Sequence, residues 1–454
     1  MTPLPVLPRD SIAAVASAPG RGGIGIVRIS GPAVRAIAQT LLGQLPPPRH
    51  ATYCSFTDAN GDSIDSGIAL FFPGPHSFTG EDVLELQGHG GPVVLDLLLE
   101  RVLALGARNA RPGEFSERAF LEGRIDLAQA EAIADLIDST TVVQARLAAR
   151  TLRGALSRRV QDLLESLTQL RAFVEAALDF PDEDIDFITD SSVHQDLVDL
   201  IRQTQTLLDD AHRGERVRDG LIIVIAGAPN AGKSSLLNAL SGNDVAIVTP
   251  IPGTTRDLLR SDIQLDGLPL HIVDTAGLRD STDPIEQEGI RRARAEIEQS
   301  DRVLWIIDDA VDPHAAAFGR KHLPAGVPVT LLRNKIDLTG RAPGVQATPD
   351  GTIEIACSMR TGAGLPALRE HLKACAGYRA DDGGAFSARR RHLDALHRTQ
   401  SHLSAALAAL ELTAAPELLA EDLRQAQHSL GEITGVFTSD DLLGHIFGDF
   451  CIGK

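Results

Sequence analysis

What this 454-residue sequence lacks narrows it before any motif is read. No apolar run approaches the roughly 20 residues needed to span a bilayer, so a soluble, cytoplasmic protein with no membrane partner is expected. Met1 to Arg9 hold neither a basic region followed by an apolar stretch nor a small-residue cleavage site, which argues against secretion. Cysteine is scarce: Cys54, Cys357, Cys375 and Cys451 sit far apart, with no CxxC pair and no histidine cluster at metal-ligand spacing. That excludes a disulfide framework and a zinc site and leaves reduced thiols. Basic charge is in deficit as well, with 43 Lys and Arg against 61 Asp and Glu and a net charge of -18. A polyanion is repelled by such a balance, so a nucleic-acid partner must be met by a local basic patch.

What is present is ample apolar material, 43% of residues, in a chain whose length suggests about three domains. Residues 1 to about 120 alternate short apolar runs with Gly and Pro, as in Gly22 to Ser30 and Gly67 to Gly74, the pattern of strands and turns in an α+β domain. From about Leu127 apolar residues recur at helical spacing, in Ala130, Ile133, Ala134 and Ile137 and again in Leu163, Leu164, Leu167 and Leu170. Strands and helices alternate from 221 to 378, which signals a parallel α/β sheet, and helical texture returns from Ala388 to Phe447. The expected organisation is an α+β domain over 1–122, a helical domain in two parts over 123–218 and 380–454, and an inserted α/β nucleotide-binding domain over 219–379. Each helical stretch alone has few elements with which to cover its apolar face, hence one interrupted domain rather than two.

Three short motifs carry the chemistry. The strand-like run Leu221 to Ala226 leads into Gly227-Ala228-Pro229-Asn230-Ala231-Gly232-Lys233-Ser234, which fits GxxxxGK[ST], with Ser235 following. Glycines let the backbone wrap a phosphate with its N–H groups inward, Lys233 reaches the β and γ phosphates, and Ser234 ligates Mg²⁺. A second strand ends in Asp274-Thr275-Ala276-Gly277, where an aspartate can hold a Mg²⁺-bound water and a glycine N–H can sense a γ-phosphate. A third leads to Asn334-Lys335-Ile336-Asp337, whose carboxylate can accept N1–H and the exocyclic amine of guanine. Adenine lacks that donor pair, so selectivity for GTP and GDP follows from the unpaired acceptor it would leave. Between the first two lies Thr249-Pro250-Ile251-Pro252-Gly253-Thr254-Thr255, a loop placed to contact the nucleotide, with Thr255 the expected second Mg²⁺ ligand. The acidic run Phe180 to Asp186 reads as solvated carboxylates and is assigned no role.

These motifs carry a resemblance that extends over the whole chain. The central domain resembles the potassium-using GTPases marked by an asparagine in the P-loop, here Asn230, and Leu278 stands where Ras-like proteins carry the water-orienting glutamine. The resemblance implies a K⁺ site at Asn230, Thr249, Ile251 and Thr254, a catalytic Glu286, and a guanine-contacting loop Ser358-Met359-Arg360 with Met359 in place of the usual Ala. Pro19 to Gly25, Ser77 to Asp82, Gly88 to Gly91, Arg111 to Phe115 and the terminal Phe450 to Lys454 resemble the MnmE (TrmE) family. These are GTPases that, with the flavoprotein MnmG, modify carbon 5 of the wobble uridine in certain tRNAs. The resemblance further implies a homodimer, a heterotetramer with MnmG, and a 5-formyltetrahydrofolate or 5,10-methylenetetrahydrofolate site at Arg28, Glu85, Arg124 and Lys454, where Arg124 replaces the family's usual Lys. Cys451 is implied as a candidate for chemistry on the uridine ring. Two other classes fit less well. Ribosome-assembly GTPases of the Era or Der type carry a KH-like module with a GxxG loop, absent after residue 378, and transporter-linked GTPases need spanning helices.

Overall fold

A computed structural model describes residues 10–179, 191–241, 259–274, 297–298, 300–311, 326–376, 386–413, 416–437, 440–448 and 450–453. In chain order the first part runs β1 (Ser11–Val15), β2 (Gly22–Ser30), α1 (Val34–Leu42), β3 (Thr52–Thr57), β4 (Ser63–Phe72), β5 (Val83–Gly90), α2 (Pro92–Ala104), β6 (Ala107–Asn109) and α3 (Glu114–Leu121). Helices α4 (Leu127–Asp138), α5 (Val142–Leu152), α6 (Ala155–Asp179) and α7 (Ser191–Asp219) follow. The α/β part comprises β7 (Leu221–Gly227), α8 (Lys233–Ser241), β8 (Leu259–Leu265), β9 (Leu268–Asp274), β10 (Arg302–Asp308), β11 (Val329–Asn334), α9 (Ile336–Thr339), β12 (Gly344–Ala347), β13 (Ile353–Ala356) and α10 (Leu365–Cys375). The chain closes on α11 (Arg390–Ala408), α12 (Pro416–Gly431) and α13 (Asp440–Gly448). Among the described residues no helix is long and apolar enough to cross a membrane.

The chain divides into two compact units. The first holds residues 1–134, 151–200 and 401–454, the second 135–150 and 201–400. The division falls inside α4, α5, α7 and α11, so the α/β part is grouped with the adjoining segments of those helices.

In the first unit a six-stranded sheet has the order β3-β4-β5-β2-β1-β6, antiparallel except for the parallel pair β1 and β6. Period-two alternation decides its faces. Val27, Ile29, Leu84 and Leu86 are fully buried in a core with α1 and α2, whereas Arg28 and Glu85, directly opposite one another across β2 and β5, project from the other face. The expected helical spacing holds in α6: Leu163, Leu167 and Leu170 are buried, as are Leu419 and Leu423 of α12, which packs along it. Phe447 of α13 and Phe450 beyond it pack with Phe120 of α3, contributing about 1.5–3 kcal/mol each by burial and fixing where the last residues of the chain lie.

In the second unit a seven-stranded sheet has the order β12-β13-β11-β10-β7-β9-β8, with β8 and β12 antiparallel at its edges and the five inner strands parallel. Ile223, Val224, Ile225 and Ala226 are all fully buried, because β7 lies at the sheet centre with both faces covered. The fold is the mixed multidomain architecture expected: an α+β part, helices, and a P-loop α/β domain inserted between two helical stretches.

Candidate functional site

The P-loop begins where β7 ends, and its glycines sit where side chains do not fit. Gly227 has φ +150° and a Cβ there would lie 2.4 Å from the Ile306 carbonyl oxygen; Gly232 has φ +108° and a Cβ would lie 2.2 Å from Asn334 Nδ2. Between them Asn230 takes a left-handed φ of 59°, a conformation asparagine tolerates better than most residues. Lys233 Nζ folds back to donate to the carbonyl oxygens of Gly227 at 3.1 Å and Ala228 at 3.2 Å. Ser234 and Ser235 are exposed in the first turn of α8, at the helix end where N–H groups lack intrahelical acceptors.

A second set of residues, more than 100 positions later in the sequence, closes on this loop. Asn334 is 2% exposed and ties the two together: its Nδ2 donates to Ala231 O at 2.8 Å, and its Oδ1 accepts from the N–H groups of Lys335 at 2.8 Å and Met359 at 3.1 Å. Lys335 Nζ donates to Asn230 O at 2.9 Å and to Asp308 Oδ2 at 2.6 Å. Asp337 Oδ1 accepts from Ser358 Oγ at 2.6 Å, and Arg360 Nη2 lies 3.1 Å from Oδ2. The Ser358 hydroxyl bond, then Arg360 and Lys335, hold the Asp337 carboxyl below its usual range. It is therefore an ionised acceptor at neutral pH.

The result is one cavity of about 630 Å³, lined by Asn230, Gly232, Lys233, Ser234 and Ser235 on one side and by Asn334, Lys335, Asp337, Met359 and Arg360 on the other. That volume suits a nucleotide-sized ligand. Groups suited to binding phosphate, Lys233 and the start of α8, line it together with the Asp337 carboxylate. Fully buried Ser358 stands behind Asp337 and orients it rather than reaching the cavity. Asp274 ends β9, beside β7, with its backbone in the sheet. Thr249, Pro250, Ile251, Pro252, Gly253, Thr254, Thr255, Thr275, Ala276, Gly277 and Glu286 lie outside the described residues. Sequence reasoning missed Asp308, which anchors Lys335. The signal was the acidic pair at the C-terminal tip of a parallel strand, the same position Asp274 occupies in β9.

Of the expected folate residues, Arg28 and Glu85 lie on the sheet face opposite the α1 and α2 core. Arg28 Nε donates to Glu85 Oε1 at 2.9 Å, and the guanidinium lies 5.7 Å from the Phe115 ring and 5.9 Å from that of Phe78. The end of the chain reaches the same place: Arg28 Nη1 donates to Gly453 O at 3.5 Å, Ile452 pairs with Pro112, and a Cβ on Gly453 (φ +99°) would lie 2.4 Å from Val15 O. Arg124 is exposed beside Gly80 of the Ser77 to Asp82 loop, and Cys451 is exposed. Lys454 lies outside the described residues.

Several charged residues in or beside the other motifs of this unit pair with one another, around buried Glu114 and Arg118. Arg118, 1% exposed, donates to Asp10 Oδ1 at 2.8 Å, Glu81 Oε1 at 3.0 Å and Glu114 Oε1 at 3.1 Å, and Arg108 Nη1 donates to Glu114 Oε2 at 2.8 Å. Burial alone would raise the Glu114 pKa; Arg108, the Arg111 N–H and Arg118 outweigh it and bring it to about 2. Glu81 also accepts from Ser30 Oγ at 2.6 Å, and Asp82 from Arg35 Nε at 2.6 Å.

Comparison with known proteins bears on this arrangement. The family described as "MnmE helical domain" matches residues 127–451, and "GTP-binding protein TrmE N-terminus" matches residues 11–124. The chain is 58% identical over 453 residues to the tRNA modification GTPase MnmE of Stutzerimonas stutzeri (strain A1501), covering 98% of this chain and 99% of that one. It is 56% identical over 454 residues to the protein of that name from Pseudomonas syringae pv. tomato, covering 99% and 100%. Among solved structures, the G domain of the T. maritima FeoB iron transporter is 23% identical, with 34% of this chain and 98% of that one covered at a TM-score of 0.27. With matching residues running from 11 to 451 and relatives this similar over nearly their full length, the chain belongs to the MnmE family of tRNA modification GTPases.

Proposed function

We propose that this chain binds and hydrolyses GTP in the cavity between the P-loop and Asp337, and that hydrolysis drives modification of carbon 5 of the wobble uridine in certain tRNAs. The observation that carries the reading is the convergence of two distant motifs on one cavity, which Lys233 and the ionised Asp337 both line. In this reading the nucleotide is held by Asn230, Ala231, Gly232, Lys233, Ser234 and Ser235, by the loop 249–255 and Asp274, Thr275, Ala276 and Gly277, and by Asn334, Lys335, Asp337, Met359 and Arg360. Ser358 acts through Asp337. Exposed Ser234, on a helix start facing the cavity, suits a hard cation with oxygen ligands, so Ser234 and Thr255 hold Mg²⁺. Asn230, Thr249, Ile251 and Thr254 hold K⁺, whose charge takes the place of an arginine finger between the β and γ phosphates. Glu286 serves catalysis in place of the missing glutamine.

The one-carbon unit comes from a formyl- or methylenetetrahydrofolate bound at Arg28, Glu85, Arg124 and Lys454. A half-buried carboxylate, paired with a guanidinium that lies over two aromatic rings, suits the aminopyrimidinone edge of a pterin, which is what supports the reading. The protein acts in the cytoplasm as a homodimer with the flavoprotein MnmG, through domains near 1–122, 123–218 with 380–454, and 219–379, and the exposed thiol of Cys451 is the candidate for chemistry on the uridine.

The test is the cation dependence of hydrolysis. GTP turnover in potassium should exceed that in sodium at equal ionic strength by about tenfold or more, since an arginine finger is worth more than that. Asn230→Ala should remove the difference while leaving GTP binding largely intact. Equal wild-type rates in the two salts would rule out the cation mechanism.

A further inference from the structure

We propose that Asp309 is a positioning residue for guanine selectivity: its buried carboxylate clamps both flanks of the loop that carries Asp337 and so sets the angle at which Asp337 meets the base. The inference rests on the reading of the cavity as a guanine-nucleotide site.

Asp309 follows β10 directly and is 3% exposed. Its Oδ1 accepts from Arg333 Nη1 at 3.4 Å, its Oδ2 accepts from Thr339 Oγ1 at 2.7 Å and Arg341 Nε at 3.0 Å, and its own N–H donates to Asn334 O at 3.0 Å. Arg333 immediately precedes the Asn334 to Asp337 segment; Thr339 ends the helical turn that carries Asp337, and Arg341 lies two residues beyond it. One carboxylate therefore holds the loop before it enters the cavity wall and after it leaves. The clamp is itself anchored, because Arg333 Nε pairs with Glu354 Oε2 of β13 at 2.8 Å and Glu354 Oε1 accepts from Gln346 Nε2 of β12 at 2.8 Å. Burial would raise the pKa of Asp309, but Thr339, Arg341 and Arg333 outweigh it and keep the carboxylate ionised.

Asp309 is not among the residues that line the cavity, so it acts through Asp337. Helix α9 is a single turn, too short to hold its own geometry without tertiary support. Guanine offers a carboxylate two parallel donors, N1–H and the exocyclic amine, whereas hypoxanthine offers only N1–H. Two parallel bonds demand alignment and one does not. Loosening the clamp therefore costs the guanine complex more than the inosine complex. A residue that only stabilised the fold would weaken both equally.

The experiment uses the full chain and measures dissociation constants for GDP and inosine diphosphate in Thr339→Val, Thr339→Ser and Asp309→Asn. Thr339→Val removes the hydroxyl from an exposed position at constant shape and should fold normally. It should lower the preference for GDP over inosine diphosphate about fivefold, the value of one misaligned hydrogen bond. Thr339→Ser, which keeps the hydroxyl, should retain the wild-type ratio. Asp309→Asn should lower it further; if that variant does not fold, Thr339→Val decides alone. An unchanged ratio in Thr339→Val, with or without a parallel fall in both affinities, overturns the clamp. A wild type that does not prefer GDP to inosine diphosphate overturns the guanine reading and the clamp with it.

Discussion

The nucleotide cavity of the second unit and the Arg28 sheet face of the first are both marked in the sequence by short motifs rich in glycine and charge, yet those motifs do opposite things. Around the cavity, Gly232, Lys233, Asn334, Lys335 and Asp337 bring backbone and charge toward an open space. In the first unit several residues in or beside the motifs are turned toward one another instead. Glu81, Glu114 and Arg118 satisfy one another, and Gly90 allows two backbones to approach, since a Cβ there would lie 2.7 Å from Gly22 O and 2.8 Å from Ile24 O. The Arg28 and Glu85 pair, half-buried with the guanidinium over two rings, projects from the sheet face opposite the α1 and α2 core. A motif can therefore mark a family through residues that the fold itself uses. Chemistry needs the residues that face a cavity; the fold needs the others.

The comparison breaks most visibly if the buried charges of the first unit prove dispensable. Glu114→Gln should destabilise that unit by about 2–3 kcal/mol, below the usual 3–5 for breaking a buried pair because Glu81 and Asp10 still compensate Arg118. Nucleotide affinity should stay at the wild-type value. The wild type has a distinct acid signature. The folded pKa of Glu114, about 2, lies below its ordinary 4.5, so its contribution is fully present above about pH 4.5 and is lost as pH falls from there toward 2. Thermal melts across that window should converge for wild type and variant. Parallel curves would mean that Glu114 is not the ionised partner of Arg108 and Arg118.

A smaller effect separates the outward-facing pair from its surroundings. Glu85→Gln should weaken binding of 5-formyltetrahydrofolate, followed by calorimetry on the full chain, by about tenfold, as expected on losing a charge-assisted bond. Stability should hardly change, because the pair lies at a partly exposed position. Unaltered folate affinity would move the site off this face.

Legibility in the sequence followed the same division. The run Gly22 to Ser30 is β2, Leu221 to Ala226 lies within β7, and the 3.6-residue spacing of Leu163, Leu167 and Leu170 marks the buried face of α6. These signals are local; the steric need for glycine in the P-loop is not, since the atoms a Cβ would meet belong to Ile306 and Asn334, and there the motif's spelling stood in for it. The pairing of Glu114 with Arg118 is also local in sequence, at i and i+4, but on a helix that spacing ordinarily describes a solvated pair. Its burial follows from the approach of Asp10 and Glu81, which no local pattern announces. Asp309 escaped notice for a related reason: its partners Arg333, Thr339 and Arg341 come together only once β10 and β11 are adjacent in the sheet. The thiol at Cys357, pushed up to about 12 by burial, reads the same in sequence as the exposed Cys451.

The central claim is that Asp337 reads guanine in the cavity it lines with Lys233, and competition between GTP and xanthosine triphosphate tests it most directly. Xanthine presents a carbonyl where guanine presents its exocyclic amine, so Asp337→Asn supplies the complementary donor and the preference should invert from GTP toward xanthosine triphosphate. Ser358 and Met359 remain in place to hold the loop, so binding itself should survive. Inverted preference with retained affinity is the result the account predicts; an Asp337→Asn chain that still prefers GTP would contradict it.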